Sequence, residues 1–219
     1  MPRPQTRDPI PDAPGDCALA QQVCCFSFRY LVNFFSSRYF YGGVLKNGDN
    51  EHESKIVPFL LLHVEGNAVI EKFNCYNKSE ERVIINLVKT IRDINGKTPN
   101  IGVITFYSKQ KTNISLELQN QRLAGPRIAV NTVDGFQGSE KDVILISCVR
   151  GGPGGIGFLA DRQRLNVALT RARKSLIVVG NMDTLGRDNL WEDFITNAKE
   201  RNLFYNYSDI SNLSSVLEL

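Results

Sequence analysis

The sequence predicts a single α/β domain built on one parallel sheet, and three observations carry that reading. Short apolar runs rich in Val and Ile, at residues 128–133, 143–149 and 176–180, alternate with helical segments. That is the pattern of buried parallel strands joined by crossover helices. Asp134, Gln137, Gly138, Glu140 and Asp142 gather between the first two runs, at strand ends, where open α/β sheets place their ligands. The 219 residues suffice for one substantial domain and are too few for two of ordinary size.

Residues 1–15 are proline-rich and polar and read as disordered. Residues 17–35 are more apolar and fit either a helix or a strand. Phe34, Phe35, Tyr39, Phe40 and Tyr41 form an aromatic group that Gly42 and Gly43 end, and core packing is its simplest use. A polar loop spans 46–54, and residues 57–64 form the first clear strand. Asn77 with Glu80 makes a capping-box pattern. The helix it opens buries Val83, Ile84, Leu87, Val88 and Ile91, and Asn95 with Gly96 stops it. Residues 101–106 form a second strand, and Ser108 caps a helix to about residue 122 with Ile114 and Leu118 inward. The last helix, near residues 189–201, carries Trp191, Phe194 and Ile195. Residues 203–205 suit an edge strand, and 208–219 read as a loose tail.

Residues 161–174 read as a basic helix with Asp161 as its N-cap. Leu165, Leu169 and Ala172 form a stripe that packs on the sheet. Arg164, Ala168 and Arg171 then sit about 100° round the helix from it, while Asn166, Thr170 and Arg173 flank its other side. Two arginines are thus expected at the edge of a packed face, aimed past the domain's own core. A cleft that takes phosphate or nucleic acid uses guanidinium groups in this way. Boundary arginines snorkelling beside a helix are the plainer alternative.

Composition narrows the classes. A hydrophobic content of 42% with 22% charged residues is globular. The net charge of +3 excludes a polycation that coats nucleic acid, although residues 127–174 hold eight Lys/Arg against four Asp/Glu. The five cysteines (Cys17, Cys24, Cys25, Cys75 and Cys148) form no C-x-x-C pair, so neither a zinc site nor a disulfide framework is expected. His52 and His63 read as structural. No apolar run is long enough to span a bilayer, and the N-terminus lacks the form of a signal peptide. Nucleus or cytoplasm is the expected location.

Several motifs together resemble the superfamily 1 helicases, in the branch that contains the nonsense-mediated-decay helicase and senataxin. T-V-D-G-F-Q-G-S-E-K-D (residues 132–142), S-C-V-R (147–150), G-F-L (157–159) and R-L-N-V-A-L-T-R-A-R (164–173) are similar to that branch's motifs V and VI. I-T-F-Y-S-K-Q (104–110) resembles its T-P-Y-x-x-Q element, with Phe106 in place of the proline. F-Y-G-G-V-L-K-N-G (40–48) resembles its F-Y-x-G-x-L-x-N-G. The resemblance divides the chain into an atypical N-terminal segment (1–34), a C-terminal helicase domain (35–206) and a tail (207–219). It implies the second RecA-like domain of such a helicase: a three-layer α/β fold with helices on both faces of a parallel sheet.

By that resemblance Arg171 is the arginine finger, Glu140 contacts the nucleotide ribose and Gly138 leaves room for the nucleotide. Arg164 lies beside the same phosphates, while Asp134 and Gln137 couple nucleotide to strand. Thr105, Tyr107, Gln110, Thr132, Asn166 and Arg173 are implied to line a groove for single-stranded RNA or DNA. ATP with Mg2+ is the implied cofactor, the magnesium held mainly by a first RecA-like domain, and no metal site is expected here.

The sequence holds no G-x-x-x-x-G-K-[ST] phosphate loop. The glycines of 151–157 lack its Lys and Ser/Thr and read as a flexible connection. Where the family carries Q-Y-R-x-H-P, with a second phosphate-contacting arginine, Ser27 falls at the arginine's place and Arg29 two residues late. The expectation is a helicase C-terminal half that cannot hydrolyse ATP alone. The alternative is a non-catalytic nucleic-acid-binding or interaction module derived from one.

Overall fold

The computed structural model describes residues 54–71, 74–95 and 99–219. The expectations for residues 1–53, including the aromatic group at 34–41 and the F-Y-G-G element, lie outside them. Among the described residues, six parallel strands form the sheet, in the order β5-β4-β6-β7-β1-β8. They are β1 (Phe59–His63), β4 (Ile101–Thr105), β5 (Ile128–Thr132), β6 (Lys141–Ser147), β7 (Ala172–Gly180) and β8 (Phe204–Asn206). A small antiparallel hairpin, β2 (Val69–Glu71) with β3 (Asn74–Tyr76), follows β1.

Helices cover both faces, and the strands sort their side chains accordingly. In β1, Phe59 and Leu61 point to one core while Leu60 and Leu62 point to the other, the period of two that a pleated strand imposes. One face packs on α1 (Lys78–Asn95), α2 (Ser108–Asn120) and α6 (Leu213–Leu217). The other packs on α3 (Arg162–Leu169), α4 (Met182–Leu185) and α5 (Asn189–Glu200). Trp191 of α5 is fully buried and donates its Nε1 proton to the Leu159 carbonyl at 3.1 Å. This is the three-layer arrangement the sequence predicts, with buried strands that read as continuous apolar runs.

Four local expectations change. The basic helix ends at Leu169 rather than near residue 174, because Ala172 already pairs with Lys141 and the chain continues as β7. Strand pairing with β6 overrides the helical pattern of the last turn. The capping box forms only by half: Asn77 Oδ1 accepts from the Ser79 and Glu80 amides, but the Glu80 side chain does not return to the Asn77 amide. Buried donors draw that carboxyl inward instead. The glycine connection is a built loop: Gly151 O accepts from Ala68, Arg150 binds the Gly155 carbonyl, and Arg187 binds the Gly152 carbonyl at 3.1 Å. The tail is no loose end, because α6 buries Leu217 completely and Glu218 bridges to Ile56.

Candidate nucleotide and strand site

The residues singled out from the sequence fall at the two opposite ends of the sheet. At the carboxyl end, Thr105 is flanked in register by Thr132 of β5 and Ser147 of β6. At the amino end, Lys141 and Ala172 begin β6 and β7 side by side, so Glu140, Arg171 and Arg173 gather there. The loop from β5 to β6 and helix α3 both run between these ends.

The β5–β6 loop is shaped by its own chemistry. A 3-10 turn at Asp134–Phe136 follows β5, and Phe136 anchors it in the core at 2% exposure. Asn131 Nδ2 donates to Gly135 O. Gly138 then takes φ +74 with open space where a Cβ would stand. A side chain there would be strained by its backbone rather than by a neighbour. Gln137 and Glu140 are exposed, and Glu140 Oε2 accepts from Arg173 Nε at 3.1 Å.

Helix α3 separates the two expected phosphate-facing arginines. Arg164, in its first turn, pairs with Asp134 at 3.3 Å, and Asp161 caps the helix through the Gln163 and Arg164 amides. Arg171 lies beyond the far end of the helix, seven residues on, which is about 10 Å of helical rise. The two arginines therefore stand at opposite ends of α3. Arg171 does not reach freely outward. It is half-buried, its Nε donates to Val167 O at 3.0 Å, and one Nη donates to Thr170 Oγ1 at 3.1 Å. Among the described residues no carboxylate lies within ion-pair distance of it.

Several expected groove residues face inward. Thr105 is completely buried, and its Oγ1 has no hydrogen-bond partner among the described residues. Tyr107 is 8% exposed, with its ring against Phe158. Gln110 is completely buried and its amide is spent on the protein: Oε1 accepts the Asn77 amide at 2.9 Å, while Nε2 donates to Asn77 O and Ser147 Oγ. Thr132 and Asn166 are half-buried and Arg173 is exposed. Asn166 gives its carbonyl to the Thr170 hydroxyl at the close of α3.

Glu80 is the group that sequence reasoning missed. It is fully buried, and Ser147 Oγ at 2.7 Å, the Val149 amide at 2.8 Å and Asn77 Nδ2 at 3.4 Å surround its carboxyl. Burial pushes its pKa up to about 8, against the pull of Ser147 and of the Val149 and Cys148 amides. The same burial, then the nearby Glu80 charge, raises the Cys148 thiol. Val149, held by this network, adopts φ +70, an unusual conformation for a β-branched residue. A signal was present: Glu80, Val83, Ile84 and Leu87 share one helical stripe, so a charged residue stood on the apolar face.

A family profile described as an AAA domain matches residues 29–183. The chain belongs to this family. Its relatives place it in the superfamily 1 helicase branch of sen1 and the regulators of nonsense transcripts. It is 37% identical over 205 residues to helicase sen1 of Schizosaccharomyces pombe, a match that covers 84% of this chain and 12% of the relative. With regulator of nonsense transcripts 1 of Caenorhabditis elegans it is 33% identical over 193 residues, 80% of this chain and 18% of the relative. With ATP-dependent helicase upf1 of Schizosaccharomyces pombe it is 35% identical over 200 residues, 80% and 22% respectively. The chain thus spans less than a quarter of the length of these relatives. Among solved structures, the C-terminal domain of a possible DNA helicase from a Lactobacillus aligns at a TM-score of 0.44 and 11% identity, covering 71% of this chain and 87% of that one.

In this helicase-family domain, no group of three or more His, Cys, Asp or Glu among the described residues could hold a metal ion. No helix among them is long and apolar enough to cross a membrane.

Proposed function

We propose that this chain is the C-terminal, second RecA-like half of an ATP-dependent RNA or DNA helicase. The amino end of β6 and β7 completes one wall of an ATP pocket, and the carboxyl end of the sheet takes a single strand. The observation that carries the reading is Arg171, a half-buried guanidinium at the amino end of the sheet with no acidic counter-ion among the described residues. A cation so placed is suited to a ligand that brings negative charge.

The residues present fit a nucleotide. Gly138 leaves open space beside the loop, Glu140 is exposed at the same end of the sheet, and Arg171 keeps one Nη outside its bonds to Val167 and Thr170. ATP would supply the phosphoryl group whose transfer drives strand movement. Arg171 would offset charge on its terminal phosphate, Glu140 would accept from the ribose hydroxyls, and Arg173 would orient Glu140. The residues do not fit Mg2+, since no group of three or more acidic, His or Cys residues that could hold a metal stands among the described residues. Magnesium belongs, in this proposal, to a first RecA-like domain that also carries the phosphate loop. At the other end, Thr132 and the Tyr107 edge meet a strand's backbone without reading its sequence.

Supplying a first helicase domain in trans tests the reading. The expected result is strand-stimulated ATP hydrolysis that the chain alone does not show. Arg171→Ala should lower that rate by roughly a thousandfold or more, with oligonucleotide binding retained. Strand-stimulated turnover by the chain alone would overturn the need for a partner. The bonds of Arg171 to its own helix end favour one second reading, a non-catalytic strand-binding module in which that residue is structural. Strand binding with no recovered hydrolysis, and indifferent to Arg171→Ala, would select it.

A further inference from the structure

Phe158 is a large apolar side chain left 52% exposed, although the turn that carries it is firmly anchored. The 3-10 turn Gly157–Ala160 buries Leu159 to 1% and ties its carbonyl to the Trp191 indole. Burial of one residue and exposure of its neighbour is therefore a fixed property of the turn. Gly157 permits it: at φ +59, an added Cβ would stand 2.6 Å from the Tyr107 hydroxyl. The turn thus sits against Tyr107, two residues past the carboxyl end of β4.

Two further groups frame the exposed ring. Tyr107 lies 5.5 Å from it, centroid to centroid, with an interplanar angle of 44°. The Arg164 guanidinium lies 5.3 Å from the ring centroid, where Asp134 and Asp161 also hold it. An aromatic ring beside a guanidinium combines a stacking surface with a positive charge for the adjoining phosphate. Proteins that hold single strands without sequence preference use this combination.

We infer that Phe158, supported by Tyr107 and flanked by Arg164, is a stacking platform for one base of a bound single strand. The inference rests on the strand-binding reading above and adds to it a contact with a base rather than with the backbone. The ring accepts any base, because every base offers a π face. Arg164 faces the phosphate that follows.

Fluorescence anisotropy with the full chain tests it, using short fluorescein-labelled oligouridylate and oligothymidylate and an abasic phosphodiester of equal length. Phe158→Ala should weaken binding of the base-bearing probes roughly tenfold and leave the abasic probe unaffected. Phe158→Trp should restore the loss. Because the ring is exposed, thermal unfolding of both variants should match the parent, which separates a lost contact from a lost fold. If the parent binds the probes and Phe158→Ala binds them equally well, the platform is wrong while the strand reading stands. Equal weakening of base-bearing and abasic probes would also overturn it, making Phe158 a prop for the loop. Loss confined to association with a first helicase domain would assign the ring to a protein contact instead. A parent chain that binds no probe would overturn the strand reading and the platform together.

Discussion

Glu80→Gln tests whether the buried carboxyl is held protonated by the fold. The folded-state pKa is raised from 4.5 to about 8, so between those values the native chain keeps a proton that the unfolded chain has released. Stability therefore falls as pH rises through that window, at about 1.4 kcal/mol per pH unit. Below the window both states are protonated and the carboxyl imposes no penalty. When protonated, its proton goes to the Ser147 hydroxyl, the one neighbour among Ser147, Val149 and Asn77 that can turn to accept it.

Glutamine keeps the shape and removes the titration. Its oxygen can take the place of Oε2, accepting from Ser147 and Val149, while its amide meets Asn77 Nδ2 across 3.4 Å, donor against donor. That mismatch costs about 1 kcal/mol. The variant should accordingly melt below the parent only under about pH 5 and above it from pH 6, since the parent has lost about 2 kcal/mol by pH 6 and loses about 2–3 kcal/mol more by pH 8. In melting temperature the relative change is about 5–10 °C for a chain of this size. Thermal unfolding of both proteins, followed by circular dichroism at half-unit pH steps, reads the crossing. Comparison of the pair cancels every other titrating group. A constant offset between the two curves from pH 5.5 to 8.5 would refute the reasoning, because Glu80 would then carry the same charge folded and unfolded.

Gly157→Ala should lose about 1–3 kcal/mol in denaturant unfolding, since a left-handed backbone and a close Tyr107 hydroxyl both oppose a Cβ. Trp191→Phe should cost about 1–3 kcal/mol in the same measurement, as it leaves the Leu159 carbonyl unpaired in the core. Arg173→Ala should change stability by less than about 1 kcal/mol, because its ion pair with Glu140 is half exposed. Its effect should appear instead as weaker nucleotide binding in the reconstituted two-domain assay.

Much of the sheet was legible because its strands are buried on both faces. Residues 101–106 and 143–149 read as strands, and the observed strands Ile101–Thr105 and Lys141–Ser147 largely coincide with them. The end of the basic helix was not legible: Ala172 fits the stripe of α3 as well as the start of β7, and only pairing with Lys141 decides between them. Gln110 and Thr105 were named from motif position and turned out buried. Gln110 stands four residues before Ile114, but nothing in its own helix signals that Asn77, 33 residues earlier, will close on it. Glu80 shows the converse. Its place on an apolar stripe was readable, but the donors that make burial tolerable come from the end of β6, 67 and 69 residues away.

That network bears on how the two ends of the sheet would work together in the proposed helicase. Gln110 on α2, Ser147 on β6 and Glu80 on α1 are joined by hydrogen bonds of 2.7–3.0 Å. Their last link, the Val149 amide, sets the direction in which β6 leaves the sheet. From there the chain passes through the glycine loop and the Phe158 turn into α3, whose far end presents Arg171. A strand that presses on the Phe158 turn thus acts on one end of an eight-residue rigid helix, and a nucleotide that draws on Arg171 acts on the other. Coupling by this route needs the β6 exit to be stiff, which is what a fully satisfied buried network supplies. Ser147→Ala, which removes one central link, should therefore reduce strand stimulation of the reconstituted ATPase more than it reduces binding of either ligand alone. An equal loss in all three measurements would show the network to be a structural brace without a part in coupling.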